Sequence, residues 1–477
     1  MSDPRCGWRN SGLRKLVVAA SVVGWLQAGA AAAQTIVAEP PPFTPMRYNE
    51  DYSYLRDPAH RSGAWWERFK YLPLDAEGWA WLSVGDDIRF RYERYWANNF
   101  GSPPRPDEGY LRYRELPYLG VHLGSNLTVF GQLQIAYGTR AVKNPFIDQT
   151  GFDVVQGFVE WSPFRAGDVQ LSARAGRQVL VFGSGRLINA GPNIRTAFDG
   201  GLVQLQAGGW RADAFLVRPV RPELGSFDDG PDPSRIVWSM YVTRALAGLG
   251  PGAALDFYYI GYESDLTEVN QGKALEHRHT LGSRFAGGAD AVKWVLEGNI
   301  QLGRFGTADI LAWSLSSDEI YTYPKYALKP WVGLRVAVLS GDGDPRDGKL
   351  GTFNAMFPEG GYFGENGVLG PSNLILIRTT LGLDLGSGWS LATGQTVYWR
   401  ASLSDGLYGL AGNLLRPSGT STTRLVGFQV DVALAWQTNR NLGFALAYSV
   451  IVPGGFLADT GPGWTVHFVG GHAMFRY

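Results

Sequence analysis

Arg89, Arg91, Arg112, Arg114, Arg174, Arg284, Arg335 and Arg378 each fall on the polar side of a stretch in which apolar and polar residues alternate. A guanidinium presents a planar fork of donors that pairs bidentately with a carboxylate and keeps its charge at any working pH. Arginine dominates the basic residues here, since the chain has only eight lysines. Spaced along one surface, such groups would hand an anionic solute from site to site, each contact weak enough for release. Asp87, Glu93, Glu160, Glu297 and Asp431 share that side, so the surface is mixed in charge. Paired with these acids, the same arginines would instead brace a wall.

Other chemistry finds little support. The histidines are His60, His122, His277, His279, His467 and His472, and none sits in a nucleophile motif. His277 and His279, two apart, make a poor metal pair. Gly341–Gly348 carries Asp342, Asp344 and Asp347, oxygen ligands of the kind calcium takes, but Arg346 breaks the alternation and a polar surface turn explains the stretch better. Cys6 is the only cysteine, so no thiolate site or disulfide is expected. The reading is of a protein without enzymatic activity, metal or cofactor.

The elements that must position the arginines are strands. In Ala291–Leu302, Val292, Trp294, Leu296, Gly298, Ile300 and Leu302 make one face; Lys293, Val295, Glu297, Asn299 and Gln301 make the other. Period-two alternation is the strand signature. It recurs from Leu82–Trp96, Leu111–Leu123 and Leu127–Tyr137 through Ala253–Tyr262, Arg278–Phe285 and Ala308–Leu315 to Trp464–Tyr477, giving about 18 strands. The parity of Trp389–Trp399 is ambiguous. Tight turns such as Gly124-Ser125-Asn126, Gly208-Gly209 and Gly386-Ser387-Gly388 alternate with long loops such as Val179–Asp199, Ser340–Ser372 and Ala401–Thr423. Only Ser316–Lys329, long where a short turn is due, breaks the order. The pattern predicts an all-β fold: a transmembrane antiparallel β-barrel with short periplasmic turns and long extracellular loops.

The ends agree. Residues 1–33 read as a secretory signal peptide, with Arg9, Arg14 and Lys15 before an apolar run and Ala31-Ala32-Ala33 at the cleavage site. Residues 34–80 are not strand-like and read as a periplasmic segment under or in the barrel mouth; 81–477 is the barrel. Zero formal net charge over the 477 residues argues against nucleic-acid binding. The 63 glycines and 13% aromatic residues suit strands, turns and interfacial girdles. The chain ends on an aromatic strand, as exported barrels typically do.

Several motifs in one order resemble the alginate-export family of outer-membrane proteins. They run from Arg47-Tyr48-Asn49-Glu50-Asp51-Tyr52 and Lys70-Tyr71-Leu72-Pro73-Leu74, through the Arg89/Arg91-Tyr92-Glu93 strand, to Gly176-Arg177-Gln178 and Gly183-Ser184-Gly185-Arg186. Gly191-Pro192-Asn193-Ile194-Arg195, Phe198-Asp199-Gly200, Thr352-Phe353-Asn354 and Asp405-Gly406-Leu407-Tyr408 follow. The resemblance implies an 18-stranded monomeric barrel in the outer membrane, with an electropositive constriction that passes a polyuronate. It also implies that Arg177, Arg186 and Arg195 lie in a region folding near or into the pore. The expected partners are outer-membrane lipid, an anionic polysaccharide or organic anion, and, as a further candidate, a periplasmic export scaffold. An uptake porin for small organic anions or sugars, and a closed adhesive or structural barrel, remain alternatives.

Overall fold

Lipid outside and water inside dictate which way each strand residue points. A charged side chain on the lipid face at the bilayer midplane costs about 2–4 kcal/mol, and an unpaired backbone group in hydrocarbon several more. Both costs vanish when the sheet closes on itself with its polar face inward. The computed structural model describes residues 39–103, 109–139, 149–191, 193–250, 252–289 and 291–477. Residues 1–33, where a signal peptide is expected, residues 34–38 and Pro192 lie outside the described residues.

Among the described residues, 18 antiparallel staves form the barrel. They are β1 (Ala80–Gly85, then Asp87–Trp96), β2 (Tyr110–Glu115, then Tyr118–Leu123), β3 (Leu127–Gly138), β4 (Thr150–Ala166), β5 (Val169–Val179) and β6 (Ala197–Ala207). Then come β7 (Trp210–Arg221), β8 (Arg235–Ala245), β9 (Ala254–Val269), β10 (Gly272–Ala289), β11 (Val292–Phe305) and β12 (Ala308–Thr322). β13 (Trp331–Leu339), β14 (Leu374–Gly386), β15 (Trp389–Arg400), β16 (Leu425–Gln437), β17 (Leu442–Pro453) and β18 (Val466–Arg476) complete the ring. β18 pairs with β1 from His467–Trp96 to Arg476–Asp87, so the sheet closes on itself.

Exposure is inverted relative to a soluble sheet. On β11, Leu296 and Ile300 are 43% and 53% exposed while Glu297 and Gln301 are 4% and 0% exposed. Outward aromatics cluster at two levels: Trp389, Trp436 and Phe444 stack near the periplasmic turns, and Trp238 and Tyr259 gather round His279 nearer the other end. Gly208 and Gly209 both take positive φ (55° and 77°), as a two-residue hairpin demands.

Several sequence expectations need correction. Leu111–Leu123 is two pieces, because Pro117 has no N–H for the ladder, and β1 breaks opposite it at Asp86. Strands reach further than their apolar cores. β9 and β10 meet across Asn270-Gln271, and β11 and β12 across Gly306-Thr307, so two external connections are tight turns. β12 runs on to Thr322, which shrinks the anomalous Ser316–Lys329 excursion to Tyr323–Pro330. The parity of β15 resolves with Ala392, Thr396, Tyr398 and Arg400 inward.

The larger correction concerns the lumen. Residues 180–196, 340–373 and 401–424 fold inward and pack Leu187, Ile188, Phe353, Phe363 and Tyr408 against inward Phe198, Tyr241, Leu339, Leu376 and Tyr398. Part of the interior is therefore an apolar core. The loops cross-link by backbone bonds, Phe357 N to Leu187 O (3.0 Å) and Glu359 N to Gly185 O (3.1 Å).

Candidate functional site

β1 and β2 bring four nominated arginines together. Arg89 faces Arg114 across the ladder and Arg91 faces Arg112. Like charges directly opposite repel, so each pair needs compensation. Glu93, two residues on along β1, supplies it for the upper pair: Arg91 Nε lies 2.5 Å and Arg112 Nη2 3.0 Å from its carboxylate. Tyr110 donates to the same group at 2.8 Å. For the lower pair Asn193 reaches in from residues 180–196, its side-chain oxygen accepting from Arg89 and its carbonyl from Arg114 (3.1 Å). Arg195 follows on the same loop. Burial pushes its guanidinium below the ordinary value, with Asp87 opposing and Arg476 reinforcing. Five of the eleven nominated arginines thus converge on one wall.

The other six are held elsewhere. Arg174 pairs with Glu160 (2.7 Å) beneath the Tyr48 ring, 4.1 Å from its centroid. Arg177 forks onto Asp199 (2.8 and 2.9 Å), and Arg284 binds Asp256 (2.7 Å). Arg186, on the 180–196 loop, reaches across the lumen to Glu297 (3.0 Å), Asp318 and Ser316. Burial works against its charge, but Tyr362, Asp318 and Glu297 hold it above the ordinary value. Arg335 binds Asp318 and the carbonyl of Tyr362; Arg378 binds Asp431 (2.6 Å) and the carbonyl of Phe363 (3.1 Å). These two pin the inward 340–373 loop to the wall. In that loop Glu359 is pushed up to about 7 by burial, against the pull of Arg335 and Arg186.

Sequence reading missed several such staples. Arg278 binds Glu276, Gln301 and the carbonyl of Thr352; Arg400 donates to the carbonyls of Leu403, Ser421 and Thr423. Both have the inward parity of their strands, but Arg400 ends β15 and Arg278 stands at the edge of the alternating stretch Arg278–Phe285, where the pattern gives least signal. Arg47 and Lys70, in the N-terminal segment, carried no periodic signal at all.

Beside the arginine wall the inner face of the barrel turns to small side chains. Two cross-strand rows line it: Ser390, Ala435, Ala445, His472, Arg91, and above them Ala392, Ala433, Ala447, Gly470, Glu93. Hydrogens and methyls replace the bulky residues found elsewhere, leaving a cavity that Arg91 borders from the strand side and Glu365 from the 340–373 loop. Arg91 Nη2 and Glu365 Oε2 stand 3.7 Å apart, a loose pair beside its tight bond to Glu93.

The calcium reading places its residues apart. Asp342 accepts from Gly351 N, Asp344 from Arg346 N and Asp347 from Lys349 N, each shaping its own turn. Asp153, Asp228 and Asp229 do gather at the outer rim, with oxygens within 4.8 Å, and burial and these neighbours push Asp229 up to about 6. Two of these carboxylates already accept backbone N–H groups, Asp153 from Asp228 and Asp229, and Asp229 from Glu223.

A closed 18-stranded barrel with lipid-facing aromatics and a charged, partly plugged lumen defines an outer-membrane porin. Solved porins of Pseudomonas aeruginosa share the fold. OccD3 (OpdP) superposes with a TM-score of 0.53 at 12% identity, covering 86% of this chain and 93% of its own. OccK11 (OpdR) gives 0.52 at 13%, covering 83% and 95%; OccK2 (OpdF), solved with glucuronate, gives 0.51 at 12%, covering 83% and 97%. No curated protein matches the chain in sequence. Residues 80–471 match the family described as "Alginate export", and the chain belongs to that family.

Proposed function

We propose that this porin passes an anionic solute, with a uronate-bearing polysaccharide as the leading candidate, along the open wall of β15–β18 and past Arg91 and Arg112. The observation that carries the reading is the cavity that Arg91 borders against two rows of Ala, Gly and Ser, with Glu365 as its loosely held counter-ion. A solute carboxylate can take the place of Glu365 on Arg91 without breaking the Glu93 bond. The family description names alginate, a polyuronate, and the OccK2 porin was solved with a uronate monomer. Both agree with a carboxylate-bearing sugar as cargo. Passage is passive; the gradient or polymer synthesis drives it.

The loops that fill part of the lumen favour a second reading, in which only small organic anions or sugars pass. Single-channel current in a planar bilayer separates the two. Oligouronates of increasing length should block the current ever more strongly, and Arg91→Ala should weaken block about tenfold, the worth of one charge-assisted contact. Block that is independent of length assigns the barrel to small solutes, and indifference to every uronate refutes the anionic reading.

A further inference from the structure

The barrel closes at one seam, where β18 meets β1. The two strands are adjacent in space but come from opposite ends of the sequence, so they form the joint with the largest loop to close. β18 stops at Arg476, opposite Asp87, which leaves Ala80–Gly85 below without a barrel neighbour on that side. The N-terminal segment fills the gap: Leu72 and Pro73 pair with Leu82 and Trp81.

From there the segment grips the end of β18 on both faces. Inside, Arg47 donates to the carbonyl of Tyr477 (2.8 Å) and to Asp87 on β1 (2.5 Å), and pairs with Glu50 (2.8 Å). On the outward face the Trp65 indole stacks on Phe475, centroids 5.9 Å apart and 7° from parallel, and Phe69 packs edge-on to Tyr477 at 5.7 Å. Between them Lys70, fully buried, donates to the carbonyl of Val84 (2.9 Å) and to the Tyr118 hydroxyl (2.6 Å). A Cβ on Gly85 would lie 2.3 Å from Lys70 Nζ and 2.5 Å from the Tyr477 carbonyl, so only glycine leaves room for this seat. Arg440, on the β16–β17 turn, extends the hold through the carbonyl of Pro41 and the Phe43 ring, 4.3 Å away.

We infer that residues 39–79 are a clasp on the barrel's closing seam, whose grip through Arg47, Trp65 and Phe69 closes only after β18 has paired with β1 and then holds the two together. The order follows from Arg47, whose guanidinium needs Asp87 and Tyr477 side by side. The device does not depend on which solute passes.

The exposed turn at Ala76-Glu77 allows a test on barrels that have already folded. A protease site inserted there is cut after refolding in detergent, and the freed segment is washed off in mild urea. Barrels without the segment should open in hot SDS roughly 100-fold faster than uncut ones, as expected when a buried ion pair loses a partner. Independently, Trp65→Cys with Phe475→Cys, in a mature chain otherwise free of cysteine, should open more slowly when oxidised than when reduced. Equal opening rates with and without the segment, or no difference between the oxidised and reduced pair, would overturn the clasp.

Discussion

At the scale of single residues, the basic side chains divide by what they touch. Arg91 has room beside it, whereas Arg186, Arg278, Arg335, Arg378 and Arg400 spend their donors on loop carbonyls and wall carboxylates. Lys70 is a different kind of cation, a buried amine that desolvation pushes down to about 6. Arg47 and Arg440 add repulsion, Glu50 and Asp87 oppose it, and the rings of Tyr52, Tyr118 and Tyr477 surround the amine. A released segment would carry Lys70 at its ordinary pKa of about 10.4. Between those values the free form holds a proton that the docked form lacks, so docking strengthens as pH rises, by up to about tenfold per unit. Near pH 10 the trend reverses, because Tyr52, held above its ordinary value when docked, ionises once released. Resistance of the barrel to opening in detergent should therefore climb from pH 6.5 to 8.5 in the native chain. Lys70→Met should flatten that slope; an equal slope in both proteins would mean another group is responsible.

At the scale of elements, alternation was legible and depth was not. Every strand stretch read from the sequence lies on a stave, and its apolar side faces lipid, because hydrocarbon outside leaves each strand residue two choices and penalises one heavily. Strand ends fell short because β9 to β12 run past the apolar zone into polar sequence, where neither face has a fixed character. The small-residue wall was invisible for another reason. Ala433, Ala447 and Gly470 are unremarkable on their own strands and form a surface only through the register between strands. That wall makes its own prediction. Ala447→Trp, pointing inward, should cut single-channel conductance several-fold, while Leu446→Trp, one residue away and facing lipid, should leave it unchanged. Equal conductance in both would move the path away from β15–β18.

At the scale of the whole molecule, the interior holds two regimes that the sequence presents as one polar face. One side is packed by residues 180–196, 340–373 and 401–424 around a real hydrophobic core; the other, beside Arg91, is a wall of small residues bordering a cavity. Inward-folding loops leave no periodic trace, because their contacts join residues far apart in the chain. Arg186 shows how the regimes connect. The family resemblance placed it near the pore, and it does enter the lumen, but it is bonded to Glu297, Asp318 and Ser316, with Ser184 beside it on Glu297. The 340–373 loop hangs on the same turn through Gly185 and Leu187. If Arg186 is a staple, Arg186→Ala leaves the buried Glu297 carboxylate without its arginine and costs about 3–5 kcal/mol, enough to let both loops swing away from the wall. Conductance should then rise and selectivity shift toward cations as Glu297 loses its counter-charge. If Arg186 binds solute instead, the open current should stay as it was and uronate block alone should weaken. Bilayer recordings of this one variant decide which role the lumen gives this arginine.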